Sequence, residues 1–206
     1  MAERDGDSVP EIVRQCAREL RRKTSEEGVF RIPGRGALID SVVKSVDMGL
    51  RVEIADFHVH DVAGIFKIWY RQLPAPVVPR LLLPAFVATS SLPDDKRCAA
   101  LRELCEKKLP SHNLRVLSFT IGVLAAFHEN RERSKMDADN LATIFAPALF
   151  FALNTVGQSK EEIIENAKLG PELKNVSAFL IVNVKNVFED TSATLKANLL
   201  QAADKK

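Results

Sequence analysis

From Asn113 to His128 almost every position is apolar, and the apolar residues do not alternate with polar ones. A helix built from such a segment has no wet face, so other elements must enclose it. Its most apolar part, Leu117 to Phe127, is about half the length that a bilayer span requires, and polar residues bound it. The segment therefore reads as the central helix of a water-soluble core. That requirement constrains the rest of the chain, whose other segments must supply amphipathic helices to pack around it.

They do so at helical spacing. Val9, Val13, Cys16 and Leu20 recur every three or four residues, with Arg14, Arg18, Arg21 and Arg22 between them. Ser8 is placed to cap this helix and Pro10 to occupy its first turn. Leu38, Val42, Val43 and Val46 form the next stripe, with Gly49 as its stop. Val62, Ile65, Phe66, Trp69, Tyr70 and Leu73 form a third, ended by Leu73-Pro74-Ala75-Pro76. Further helices are expected over Leu81–Val87 and from Pro93-Asp94 to Leu109-Pro110. Another apolar one spans Asp139–Phe151, broken at Pro147, and a last one starts at Pro171. Asn154 to Gly170 reads as a loop with a short helix at Glu161–Lys168. No alternating strand pattern is present. The expectation is an all-α, single compact bundle-like domain of eight to nine helices over residues 9–190. An extension at 1–8 and a tail at 191–206 with weak helical patterning flank it.

Bulk chemistry excludes several functions. The net charge of +2 is too small for a nucleic-acid-binding domain, so no nucleic-acid partner is expected. Cys16, Cys98 and Cys105 are odd in number and embedded in apolar patterns, which reads as buried thiols in a reducing compartment. The charged N-terminus lacks the apolar stretch of a secretory signal, so a cytoplasmic address is expected. His58 and His60 have no cysteine or acidic cluster at ligand spacing, so no metal site is expected. Phosphate-cradling loops, a dinucleotide fingerprint and a nucleophile elbow are missing. The acidic pairs Glu26/Glu27, Asp94/Asp95 and Glu161/Glu162 suit helix starts.

What remains is the segment Glu27-Gly28-Val29-Phe30-Arg31-Ile32-Pro33-Gly34-Arg35-Gly36. Its glycines and proline break any regular element, so Arg31 sits on a loop rooted by the apolar pair Val29-Phe30. Lys67 and Arg71 are four apart and share one face of an apolar helix. Asn140 opens another apolar helix, where an amide caps or bonds across. Each has a plain structural reading: a solvated loop charge, the wet side of a helix, a helix cap.

In their order along the chain, these segments resemble the Rho GTPase-activating (RhoGAP) domain family, over roughly Val9 to Phe188. Glu27 to Gly34 is similar to the family's arginine-finger loop. His60-Asp61-Val62-Ala63-Gly64, Lys67, Arg71 and the Leu73-Pro74 ending resemble its lysine–arginine helix. Leu109-Pro110 with Asn113, and Lys135-Met136 with Asn140-Leu141-Ala142, Pro147 and Leu149, resemble its later signatures. Two departures stand out: Pro33 where the family often has serine, and Ala148 where it commonly has asparagine.

The resemblance implies an activator that binds a GTP-loaded Rho-family small GTPase and accelerates its hydrolysis. Arg31 is then the catalytic arginine. Gly28, Gly34, Lys67, Arg71, Asn140 and Pro147 become finger-supporting or partner-binding positions. Such a chain is no self-contained enzyme and needs no cofactor of its own, because the partner carries GTP and Mg²⁺. It is expected to be a monomer without a transmembrane segment, recruited to membrane-bound GTPases. The alternatives are a catalytically weak or inactive Rho-GTPase-binding module on the same fold, and a helical scaffold using the basic face of its first helix.

Overall fold

The structure, a computed structural model, describes residues 9–151 and 159–188. The expected N-terminal extension, the Ser8 cap and the C-terminal tail lie outside them. Among the described residues the order is α1 (Glu11–Arg21), α2 (Gly36–Asp47), α3 (Val59–Arg71), α4 (Leu83–Ala88), α5 (Asp94–Lys108), α6 (Ser111–Glu129), α7 (Arg131–Ser134), α8 (Ala138–Phe150) and α9 (Lys160–Val182). Short 3₁₀ turns at Arg80–Leu82 and Thr89–Ser91 flank α4. No strand occurs among these residues, and no helix of theirs is long and apolar enough to cross a membrane.

The all-round apolar helix is α6, as its composition requires. Leu117, Phe119, Ile121, Val123, Leu124 and Phe127 are buried on it. Against it stands α1, which buries Ile12, Val13, Cys16, Ala17 and Leu20. Its arginines look outward, Arg14 and Arg18 onto Glu11 and Arg22 onto Glu19. Three of the four arginines of the basic face are thus paired at the surface with glutamates close by in the chain. Pro10 is the N-cap rather than a first-turn residue, and its carbonyl accepts from the N–H groups of Val13 and Arg14. At the end of α2, Gly49 has φ +77° and donates to Val46, while Leu50 donates to Ser45. This is a Schellman ending at the glycine the pattern marks as a stop.

Two expected breaks are absent. Pro147 lies inside α8, which runs on to Phe150. An interior proline costs a helix about 3 kcal/mol. Phe145, Leu149 and Phe150 around it are all buried, each worth about 1.5–3 kcal/mol, so the packing outweighs the proline. The final helix does not begin at Pro171 either. It starts eleven residues earlier, where Ser159 and Glu162 form a reciprocal capping box, and passes through Gly170 and Pro171. Leu173, Val176 and Leu180 bury the turns beyond the proline. The same competition decides both cases: local propensity predicts a break, and core burial overrides it.

Asn113 and Tyr70 show how connections are fixed. The Asn113 amide donates to the Val77 carbonyl at 2.7 Å, and Val78 N–H donates to Leu149. Tyr70 and Thr120 share a buried hydrogen bond of 2.6 Å that ties α3 to α6. Cys16 and Cys105 are buried free thiols, as their patterns imply, whereas Cys98 is only half-buried; burial pushes the Cys105 thiol up to about 12. Asp94/Asp95 and Glu161/Glu162 occupy first turns of helices. Glu26/Glu27 do not, because they fall in the turns between α1 and the Arg31 loop.

Candidate functional site

The Arg31 loop leaves the core at Phe30. That side chain is 1% exposed, and its ring meets Phe66 of α3 at 6.1 Å, Phe127 of α6 at 5.1 Å and Phe145 of α8 at 5.1 Å. Three helices thus grip the residue before Arg31. Its backbone has φ +75°, a left-handed conformation that a bulky residue adopts only when its surroundings impose it. Gly28 is also left-handed, at φ +70°, where glycine has no steric penalty. Gly28 N–H donates to the Ser134 carbonyl at 2.8 Å, and its own carbonyl accepts from the N–H groups of Arg31 and Ile32 at 2.9 and 2.8 Å. The chain therefore enters the tip as a closed turn hung from the end of α7.

Lys67 holds the same root from α3. Its ammonium donates to the Phe30 carbonyl at 2.6 Å. Burial, and secondarily Arg71 nearby, push its pKa below the ordinary lysine value. The consequence has a definite sign. A lowered native pKa means the unfolded chain binds more protons over the interval up to about 10.4, so this group's contribution to stability rises with pH. Stability of the parent protein relative to Lys67→Met should therefore increase between pH 7.5 and 10.5. Urea denaturation of both proteins across that range checks it, and a flat difference contradicts the buried-ammonium assignment.

On the outgoing side, Gly34 lies against the first turn of α3. A β-carbon there would stand 2.6 Å from the His60 carbonyl and 2.8 Å from the Asp61 Cα, both main-chain atoms with no room to move. The next residue, Arg35, donates its N–H to Asp61 Oδ1 at 2.7 Å, and its guanidinium donates to Oδ2 at 2.9 and 2.6 Å. Asp61 is 2% exposed, and the Arg35 guanidinium holds its carboxyl below the usual carboxylate range.

Between these posts project Arg31, Ile32 and Pro33. The Arg31 side chain is 54% exposed, and its ion pair with Glu27 is long, at 3.8 Å. An exposed pair of this kind is worth about 0–1 kcal/mol, so the arginine is parked and easily released. Ile32 is an exposed apolar neighbour at 42%. Arg71 is exposed one turn beyond Lys67 on the same side of α3. Asn140 is exposed too, but it is not the cap of α8. Asp137 has that role, its carboxylate accepting from Asn140 N–H at 2.8 Å, and the Asn140 amide reaches the Lys135 carbonyl at 3.4 Å. Since Gly28 hangs from the adjacent Ser134, Asn140 and the loop share one anchor.

Pro147 is half-buried within α8, about two turns beyond Asn140. Ala148, the departure from the resembled pattern's asparagine, is only 4% exposed, so this chain presents no side chain for a partner there. His58 caps α3, its Nδ1 accepting from His60 N–H at 3.4 Å. No group of three metal-ligating side chains occurs among the described residues. Sequence reasoning names Arg35 and Asp61 within their motifs but does not pair them, and it picks out neither Ser134 nor the left-handed backbone of Phe30.

The fold and site together define an all-helical domain that projects a weakly paired arginine from a loop braced at both ends. The RhoGAP domain model matches residues 10–153, and the chain belongs to the RhoGAP domain family. It is 33% identical over 142 residues to Rho GTPase-activating protein 24 of Mus musculus, covering 67% of this chain and 19% of that protein. It is 31% identical over 177 residues to Rho GTPase-activating protein 25 of Mus musculus, covering 84% and 26%. It is also 32% identical over 157 residues to the active breakpoint cluster region-related protein of Xenopus laevis, covering 72% and 18%. The chain thus spans about a fifth to a quarter of the curated relatives it matches. Among solved structures, human Rho GTPase activating protein 15 superposes with a TM-score of 0.79 at 23% identity, covering 91% of this chain and 87% of that one. The BH domain from Graf, the GTPase regulator associated with focal adhesion kinase, gives 0.70 at 21%, covering 87% and 96%. Both show the same all-helical fold.

Proposed function

We propose that this protein binds a Rho-family small GTPase in its GTP-loaded state and accelerates hydrolysis by inserting Arg31 into the partner's nucleotide site. The observation that carries this reading is the contrast at the loop: an exposed, weakly paired guanidinium on a backbone fixed on both sides. Phosphoryl transfer spreads negative charge over the γ-phosphate and leaving oxygens. A planar, permanently charged fork meets that charge well. It does so effectively only if it is preorganised, because ordering a mobile loop at the transition state would consume the gain.

The nucleotide and its magnesium ion belong to the partner in this scheme, and this chain supplies one cation and a docking surface. Lys67 acts through the Phe30 carbonyl, as part of the bracing. Arg71 and Asn140, exposed beside the loop, face the partner. Acting this way requires only a single copy of the chain, in the cytoplasm and at membranes where the GTPase is anchored. The test is single-turnover GTP hydrolysis by Rho-, Rac- and Cdc42-like GTPases with and without this protein, alongside binding to the GTP and transition-state-mimic forms. Acceleration of at least one, by roughly 10³-fold or more, is expected. Tight binding at the basal rate would instead assign it as an inactive module, and absence of both would remove the reading.

A further inference from the structure

We propose that Asp61 is a positioning residue for Arg31, acting as a clamp on the outgoing limb of the loop through Arg35. The inference rests on the GTPase-activating reading above, and it assigns a task to a residue outside the arginine itself. The incoming limb already has three restraints: the Phe30 ring in the core, the Lys67 bond to the Phe30 carbonyl, and the Gly28 bond to Ser134. Those restraints fix where the tip begins. They do not fix where it points, because a chain held at one end pivots about that end.

The second post is Asp61. Both of its oxygens are used on Arg35, Oδ1 on the main-chain N–H and Oδ2 on the guanidinium. The main-chain bond matters most, since it locates the backbone itself. Gly34 allows it, because only a residue without a β-carbon lets the limb lie on the His60–Asp61 backbone. With Phe30 and Gly34 both seated, the intervening Arg31, Ile32 and Pro33 have little freedom, and Pro33 removes more by fixing its own φ. The left-handed Phe30 backbone points the same way. Such a conformation persists only where the structure on both sides enforces it. Asp61 is also not a surface acid serving the helix dipole alone: it is 2% exposed, while the guanidinium it holds is 69% exposed. The buried partner is the anchor and the exposed one is the strap.

Asp61→Asn tests this with nearly unchanged shape. The asparagine NH₂ group now faces a guanidinium that also only donates, and that repulsion pushes the limb off and strains the main-chain bond from Arg35 N–H. In the free protein, amide hydrogen exchange at Arg31 and Ile32, whose N–H groups close the turn on Gly28, should accelerate by about tenfold, with α6 unchanged. In single-turnover assays the maximal rate at saturating activator should fall by about ten- to a hundredfold, as expected when a reacting group is misplaced by an ångström. The half-saturating concentration should move by less than about threefold, since docking is made by other residues.

Adding Arg35→Ala to Asp61→Asn removes the donor–donor conflict and should restore most of the loss. Unchanged exchange at Arg31 and Ile32 would overturn the proposal whether or not the protein activates a GTPase. Unchanged rate in an otherwise active protein would do the same. A rate that falls in step with the melting temperature, without rescue by Arg35→Ala, would reduce Asp61 to a structural role.

Discussion

Arg31→Ala is expected to lower single-turnover GTP hydrolysis by the activated partner by roughly 10³-fold or more, at saturating concentration, with binding to the GTP form little changed. The size follows from the chemistry. Arginine fingers supply roughly 10³ to 10⁵ in rate, about 4–7 kcal/mol of barrier. Little of this appears in the ground state, because the charge that the arginine meets develops as the bond breaks. In the free protein Arg31 contributes one long, exposed ion pair to Glu27, so its removal should leave folding stability within about 0.5 kcal/mol. A normal melting temperature with collapsed activity is therefore the expected pattern. Arg31→Lys should fare nearly as badly, since an ammonium is a point charge that cannot present two parallel donors. Retention of most of the rate in Arg31→Ala would assign the acceleration to the docking surface instead.

How much of this was legible in the chain depends on the range of the interaction concerned. The helices were readable because their stripes are local: Val13, Cys16 and Leu20 recur within two turns, and all three are buried. Gly49 was readable for the same reason, as a single residue at the end of a stripe. Pro147 and Pro171 were misread because the residues that keep those helices intact do so through contacts with other elements. Arg31 carried no signal of its own. Only the ordered set of motifs around it distinguished it from a solvated charge.

The bracing of Arg31 was less legible still. Lys67 and Phe30 are 37 positions apart, and Arg35 and Asp61 are 26 apart. Asp61 stands in the sequence only as one member of the His60-to-Gly64 motif, and nothing there marks Arg35 as its partner. Asn140 was expected as a cap, but Asp137, three residues earlier, has the geometry to take that place. Composition cannot reveal a left-handed φ at a phenylalanine, because nothing in the residue type favours it.

That last feature leads to the second large effect. Phe30→Ala removes a fully buried ring from a cluster of three others and should cost about 3–5 kcal/mol. For a domain whose whole stability is about 5–15 kcal/mol, this is a large fraction. At about 2–4 °C per kcal/mol for a chain of this size, the melting temperature should fall by roughly 6–20 °C. Phe30→Gly loses the same ring, yet the order of the two variants should be inverted from the usual one. At ordinary positions glycine is less stable than alanine by roughly 0.5–1 kcal/mol. At φ +75° alanine retains the left-handed penalty of roughly 1–2 kcal/mol, which glycine escapes. Glycine should thus equal or exceed alanine in denaturant-derived stability by up to about 1 kcal/mol, net of its greater unfolded-state freedom. If Phe30→Gly proves the less stable by a similar margin, the backbone at Phe30 is not held left-handed in solution. Both variants should nonetheless lose most of the GTPase acceleration, because the glycine that relieves the backbone also frees it. Rigidity at Phe30 and placement of Arg31 are on this view the same property, which the core supplies at the expense of a strained dihedral angle.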